Sequence, residues 1–151
     1  MSDTTGGCLC GQVRYRIVGE PLVSLLCHCQ MCQRASGSAF APLMFVRADE
    51  IKVTSGELKS YKSSIQAERE FCVQCGSTLF FNRFSRSDIR GVMVGSLDNP
   101  HVFKPAMQVC MSSSVAWLDT SDLAEGHAEK PPTMTPTLIY NPVSGVASER
   151  S

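Results

Sequence analysis

Three cysteines fall within six residues, Cys27-His28-Cys29-Gln30-Met31-Cys32, and nothing else in the 151-residue chain limits its folding so sharply. Sulfurs at i, i+2 and i+5 meet at one point when the backbone passes from a strand into a tight turn. That geometry suits Zn²⁺, which takes thiolate sulfur at about 2.3 Å. Three protein ligands leave a tetrahedral zinc with one open corner, the property that separates a catalytic zinc from a structural one. Cys27, Cys29 and Cys32 are therefore candidate metal ligands and candidate catalytic residues together.

Seven of the eight cysteines are grouped, as Cys8/Cys10, Cys27/Cys29/Cys32 and Cys72/Cys75, while Cys110 stands alone. The N-terminal stretch has neither a basic n-region nor an apolar h-region, so it reads as a cytoplasmic protein rather than a secreted one. No run approaches the roughly 18 apolar residues of a membrane span. In a reducing compartment such thiols read as metal ligands, not as a disulfide framework. Cys8 and Cys10 with Cys72 and Cys75 would close a saturated, structural Cys₄ zinc across about 60 residues of chain. Spacing leaves a second pairing open, with Cys72/Cys75 joining two of the Cys27/Cys29/Cys32 group. The three-cysteine group itself reads as an open catalytic zinc, a structural zinc completed by a distant ligand, or a redox cluster. His28 is the obvious fourth ligand, yet in an extended segment its side chain points away from those of Cys27 and Cys29. His101 and His127 read as solvated, and Cys110, between Val109 and Met111, as a small buried hydrophobe.

Around these groups the chain is built of short alternating or apolar runs. Strands are expected at 13–17, 22–26, 39–46, 51–54, 58–63, 78–81 and 89–97, with Pro42 marking an edge or bulge, and 106–111 is a last apolar segment. A turn or single helical turn fits 33–37, and Cys72-Val73-Gln74-Cys75-Gly76 has the shape of a zinc knuckle. No 12-residue stretch carries a helical period, so the fold class is mainly β. Residues 1–118 read as one zinc-binding domain. From Asp119 the texture changes: Pro131, Pro132, Pro136 and Pro142 punctuate a stretch whose apolar patch is Thr137-Leu138-Ile139-Tyr140. Residues 119–151 are expected as an extended tail partly packed on the domain. Fourteen basic side chains balance fourteen acidic ones, which gives a nucleic-acid partner no support.

Three strings carry a resemblance: Gly7-Cys8-Leu9-Cys10-Gly11-x-Val13-Arg14-Tyr15, Cys27-His28-Cys29-x-x-Cys32-x-x-x-Ser36-Gly37, and Arg69-x-Phe71-Cys72-x-x-Cys75-Gly76-x-x-Leu79. Together they resemble the glutathione-dependent formaldehyde-activating enzyme family, also called centromere-protein-V-like. Gly95-Ser96-Leu97-Asp98 and Ser113-x-x-x-Trp117-Leu118 are similar to its later landmarks, so the likeness covers residues 6–118. It implies an Mss4-like fold of small sheets built around zinc. It also implies a structural zinc on Cys8, Cys10, Cys72 and Cys75 and a catalytic one on Cys27, Cys29 and Cys32. The family activity joins glutathione to formaldehyde as S-(hydroxymethyl)glutathione, a carbon–sulfur lyase reaction. One segment departs from the family: Gln108 stands where it shows histidine, and Cys110 where it shows an aromatic residue.

The resulting expectation is a zinc-dependent carbon–sulfur lyase acting on a glutathione or other thiol adduct of a small aldehyde. Glutathione is anionic, and Arg34 and Arg69 are the basic residues nearest the cysteine groups, hence candidates to bind it; each equally fits a solvated surface arginine. The competing function is a non-catalytic, zinc-stabilised binding module for a protein or nucleic-acid partner. Nothing in the sequence fixes an oligomeric state.

Overall fold

The period-two alternation becomes ten strands in the computed structural model, which describes residues 3–129. They are β1 (Thr4–Gly7), β2 (Arg14–Ile17), β3 (Val23–Cys27), β4 (Ala41–Arg47), β5 (Ile51–Ser55), β6 (Leu58–Ser64), β7 (Ala67–Cys72), β8 (Thr78–Arg83), β9 (Ile89–Met93) and β10 (Met107–Val109). One α-helix, α1 (Gln30–Ser36), interrupts them. The strands form a three-stranded sheet, β1-β2-β5, and a seven-stranded sheet, β10-β3-β4-β9-β8-β7-β6. Pairing is antiparallel except between β10 and β3. The fold is mainly β, as the sequence indicates.

The seven-stranded sheet is covered on both faces, so its central strands carry apolar residues in both phases. On one face Met44, Val46, Phe80 and Val92 meet Tyr15, Ile17 and Ile51 of the small sheet. Tyr15 packs edge-on to Phe80 with ring centroids 5.0 Å apart. On the other, Leu25, Leu43, Phe45, Phe81 and Val109 pack with all three members of the Cys27/Cys29/Cys32 group. Each such side chain taken out of water contributes about 1.5–3 kcal/mol.

Several local features differ from the sequence reading: the strand expected at 89–97 ends at Met93, with a 3-10 turn over Val94–Ser96, and 67–72, not read as a strand, forms β7. The turn expected at 33–37 is the second half of α1, which starts at Gln30 with Cys29 as its N-cap and ends on Gly37 at φ 66°. Strand β1 lies in Thr4-Thr5-Gly6-Gly7, where glycines hide any strand signal. Gly6 is required there because a Cβ would meet the Tyr15 hydroxyl at 2.3 Å. Pro42 sits in an interior strand rather than at an edge. It pairs with Leu26 of β3, but the ladder to β9 begins one residue later at Leu43, so its missing N–H leaves that ladder intact.

Past β10 the chain returns alongside it. Gln108 N–H donates to Glu125 O at 2.8 Å, His127 N–H to Gln108 O at 2.9 Å and Met111 N–H to His127 O at 3.0 Å. The proline-punctuated stretch with Thr137-Leu138-Ile139-Tyr140 lies outside the described residues. No helix among the described residues is long and apolar enough to cross a membrane.

Candidate metal centres

Cys8, Cys10, Cys72 and Cys75 come together on the face covered by the small sheet, with all four sulfurs within 4.8 Å of one another. Of the pairings open in the sequence, this is the one the backbone builds. Two similar knuckles make it. In the first, Gly11 N–H donates to Cys8 O (3.1 Å) and Val13 N–H to the Cys8 sulfur (3.2 Å). In the second, Gly76 N–H donates to Cys72 O (2.9 Å) and Gln74 N–H to the Cys72 sulfur (3.4 Å). Gly11 and Gly76 take φ of 80° and 75°, a left-handed turn that a side chain would strain.

The thiols respond to their crowding. Cys75 is pulled down to about 5 by the Ser77 hydroxyl and then the Ser77 backbone. At Cys10 the Gln12 backbone favours the thiolate, but Cys8, burial and the other sulfurs push the thiol up to about 12. Four sulfurs this close could all be thiolates only with a cation between them. The Cys8–Cys10 and Cys10–Cys72 sulfur separations are 3.4 and 3.8 Å. A tetrahedron with metal–sulfur bonds of about 2.3 Å has edges of about 3.8 Å, so the donor set fits a tetrahedral, thiolate-binding ion.

Cys27, Cys29 and Cys32 form the second group, on the opposite face and again within 4.8 Å of one another. Cys27 ends β3, Cys29 caps α1 with its sulfur accepting from Cys32 N–H at 3.3 Å, and Cys32 lies in the first turn of α1. The strand-to-helix passage is what converges the three sulfurs. All three are buried, at 3 %, 0 % and 1 % exposure. Cys27 is pushed well above the ordinary thiol range, first by its hydrogen bond to Cys110, then by those to Cys29 and Cys32. Cys32 is pulled well below it, chiefly by hydrogen bonds from Cys27 and Cys29, and further by Arg69. Cys110 touches Cys27 from a backbone at φ 58°, but its sulfur is not part of the convergent set.

His28 is turned away from the three sulfurs, as its place between Cys27 and Cys29 on a strand end demands. Gln108 explains where it goes. The Gln108 amide nitrogen donates to Thr120 O (2.8 Å) and Ala124 O (2.9 Å), which leaves its oxygen facing His28 Nε2 at 2.9 Å. An amide oxygen only accepts, so His28 donates from Nε2, leaving Nδ1 as the other ring nitrogen. That Nδ1 is buried without a partner. Phe40 packs on the imidazole at 5.4 Å.

The two arginines part company. Arg34 lies in the last turn of α1, exposed. Arg69, on β7, is 5 % exposed. Its Nη2 donates to the Cys32 sulfur at 3.7 Å, its guanidinium stacks over Phe81 at 5.0 Å, and its buried Nη1 has no partner. Sequence pattern holds the signal for this placement: Arg69 and Cys72 are three apart on one strand, so they face opposite sides of the sheet.

The Gly95-Ser96-Leu97-Asp98 landmark acts as a clamp. Asp98 pairs with both Arg14 nitrogens and accepts from Thr5 Oγ1 at 2.6 Å, while Ser96 meets the Tyr15 hydroxyl at 2.7 Å. An open cavity of about 650 Å³ lies beside it, lined by Cys8, Arg14, Ser36, Phe40, Met93 and Asp98 among others. None of the three convergent cysteines lines it. Phe40, packed on His28, and Met93, clustered with the three thiols, form the layer between. Trp117, the last landmark, is 76 % exposed, and nothing in the structure explains its placement.

The family model described as glutathione-dependent formaldehyde-activating enzyme matches residues 3–113. An uncharacterized lyase of Schizosaccharomyces pombe is 37% identical over 83 residues, 54% of this chain and 58% of that protein. A Halomonas elongata protein named for glutathione-dependent formaldehyde activation is 35% identical over 83 residues, 50% of this chain and 53% of that protein. The chain thus matches a little over half the length of these relatives. A crystal structure of a Rhodobacter sphaeroides protein superposes with a TM-score of 0.54 at 28% identity, over 65% of this chain and 93% of that one.

Proposed function

The chain belongs to the glutathione-dependent formaldehyde-activating enzyme family, and from that premise we propose that it is a zinc-dependent carbon–sulfur lyase of the cytoplasm, acting on a thiol adduct of a small aldehyde. Glutathione and formaldehyde are the pair to test first. The thiol sulfur adds to the carbonyl carbon, the carbonyl becomes a hydroxyl, and the thiol proton ends on that oxygen; cleavage runs the same steps backwards. Cys8, Cys10, Cys72 and Cys75 hold a structural zinc, and Cys27, Cys29 and Cys32 hold the second. A zinc bound there supplies Lewis acidity that makes a thiolate available at neutral pH.

The observation that carries this reading is the count at the second group. Three sulfurs converge there, and His28, the nearest candidate for a fourth ligand, is held on Gln108 instead. Gln108, where the family resemblance implies histidine, has its amide oxygen and nitrogen both hydrogen-bonded. It fixes the imidazole, and with it the strand end that carries Cys27 and Cys29. Burial of all three cysteines keeps water from competing with the thiol.

Metal analysis of the purified protein should give two zinc ions per chain. Glutathione and formaldehyde should be consumed together, with no change in thiol oxidation state. Two ions that ignore glutathione, with no consumption of formaldehyde, would instead leave a zinc-stabilised binding module.

A further inference from the structure

Burial of the second cysteine group sets an electrostatic problem that the four-cysteine group does not share. Three thiolates holding a dication keep one net negative charge, and an incoming substrate thiolate makes it two. In a site closed to water such charge is costly unless it is paired. At the four-cysteine group Cys10 is exposed, and solvent screens the excess. At the three-cysteine group the cysteines are 0–3 % exposed, so bulk solvent screens little of the charge.

Arg69 answers that problem by position. Its Nη2 is on the Cys32 sulfur at 3.7 Å. Among the described residues no carboxylate is within ion-pair reach of it; Glu70, its neighbour on the strand, points to the other face and pairs with Arg90. Phe81 supports the guanidinium from below without cancelling its charge. The guanidinium is a planar fork, so anchoring Nη2 on Cys32 holds Nη1 beside the cluster as well. That Nη1 is buried and without a partner. A buried N–H left open costs stability, and one beside convergent thiols marks where an incoming acceptor belongs.

We propose that Arg69 is a positioning residue whose charge lets the buried three-cysteine site accept a thiolate substrate, with the open Nη1–H donating to the incoming sulfur. This rests on the lyase reading and deepens it. It differs from a surface clamp for the carboxylates of glutathione, because an arginine acting on the sulfur serves any thiol, charged or not.

The test uses the full chain loaded with cobalt, whose thiolate charge-transfer absorption reports ligands added to the metal. Glutathione and the uncharged β-mercaptoethanol are titrated into wild type, Arg69→Met and Arg69→Lys, and metal release to a chelator is timed without thiol. Circular dichroism and retention of the four-cysteine metal certify the fold. The expected result is that Arg69→Met weakens both thiols by at least about tenfold and speeds release of one metal similarly. Arg69→Lys, which keeps the charge but loses the planar fork, should recover part of the loss and fall between wild type and Arg69→Met. Three results would overturn the proposal: Arg69→Met behaving as wild type, Arg69→Met weakened for glutathione alone, or Arg69→Lys as impaired as Arg69→Met. A wild-type protein that binds neither thiol sinks the lyase reading. Metal release then decides the counter-charge by itself: faster from Arg69→Met but not Arg69→Lys supports it, and equal rates reject it.

Discussion

The two cysteine groups use the same ligand chemistry and opposite surroundings. The four-cysteine group is built from loops, two glycine-closed knuckles at the ends of β1 and β7, with Cys10 in solvent. The three-cysteine group is built from regular structure, the end of β3 and the start of α1, and is sealed inside an apolar cluster. Strand β7 serves both, Arg69 on one face and Cys72 on the other. Under the proposed function the difference separates two tasks. A group that ties distant segments together can stand in water, because a saturated metal has nothing to protect. A group with an open position gains from dry walls, rigid ligands and a matched charge.

The sharpest way to break this contrast is to remove one ligand from each group. Cys72→Ser should cost on the order of 5 kcal/mol, because metal binding is folding energy where four ligands join segments of the chain. For a chain this size that is a Tm fall of about 10–20 °C in a thermal melt followed by circular dichroism. Cys29→Ser should abolish thiol–aldehyde turnover and drop zinc to one ion per chain while leaving Tm within about 4 °C of wild type. Serine is itself a favoured N-cap, so α1 keeps its start and the change isolates the metal. If the two variants exchanged outcomes, the roles of the two groups would be reversed.

Gln108→Leu probes how firmly the wall behind the three-cysteine group is set. It strands His28 Nε2, Thr120 O and Ala124 O, three polar partners inside the fold. Leaving such groups unpaired should cost about 3 kcal/mol in total, or a Tm fall of about 6–12 °C. Turnover should fall with it, because the strand end carrying Cys27 and Cys29 loses its anchor. Gln108→His, the residue the family pattern shows there, should recover part of both. A Gln108→Leu protein as stable and active as wild type would mean that α1 alone places the cysteines.

Much of this was readable in the sequence, and the parts that were not have physical causes. The three cysteine clusters were plain because sulfur spacing is a local property, and most strands because alternation is; the pairing of Cys8/Cys10 with Cys72/Cys75, about 60 residues apart, was left open by spacing. The turn away of His28 followed from strand geometry. The length of α1 was not readable, since Cys29 as an N-cap carries no usual capping signature. Strand β1 was hidden by Gly6, which is there for the Tyr15 ring beneath it. Spacing to Cys72 gives the face of Arg69, but its contact with Cys32 and the embrace of His28 by Gln108 join residues about 40 and 80 positions apart in sequence, and no pattern within one segment announces them.

The smallest predicted effect concerns the edge of the four-cysteine region, where Asp98 ties β1 and β2 to the chain after β9. Its carboxyl is held below the usual carboxylate range, first by the Arg14 hydrogen bond and then by Thr5. A carboxyl lowered by folding adds stability that is whole above its unfolded value, near 4, and is lost as pH falls through the folded one. Both partners are about two-fifths exposed, with side-chain accessibilities of 39% and 44%, so solvent screens the pair to below about 1 kcal/mol. Wild type should therefore exceed Asp98→Asn by no more than about 2–4 °C in Tm at pH 7, and the gap should close as pH falls below the unfolded value near 4 and through the lowered folded one. Acid also strips thiolate-bound metal, but it does so in both proteins, and the difference between them isolates the carboxylate. A gap above about 10 °C at pH 7 would put this clamp on a par with the Cys₄ metal as the tie of the small sheet to the large one.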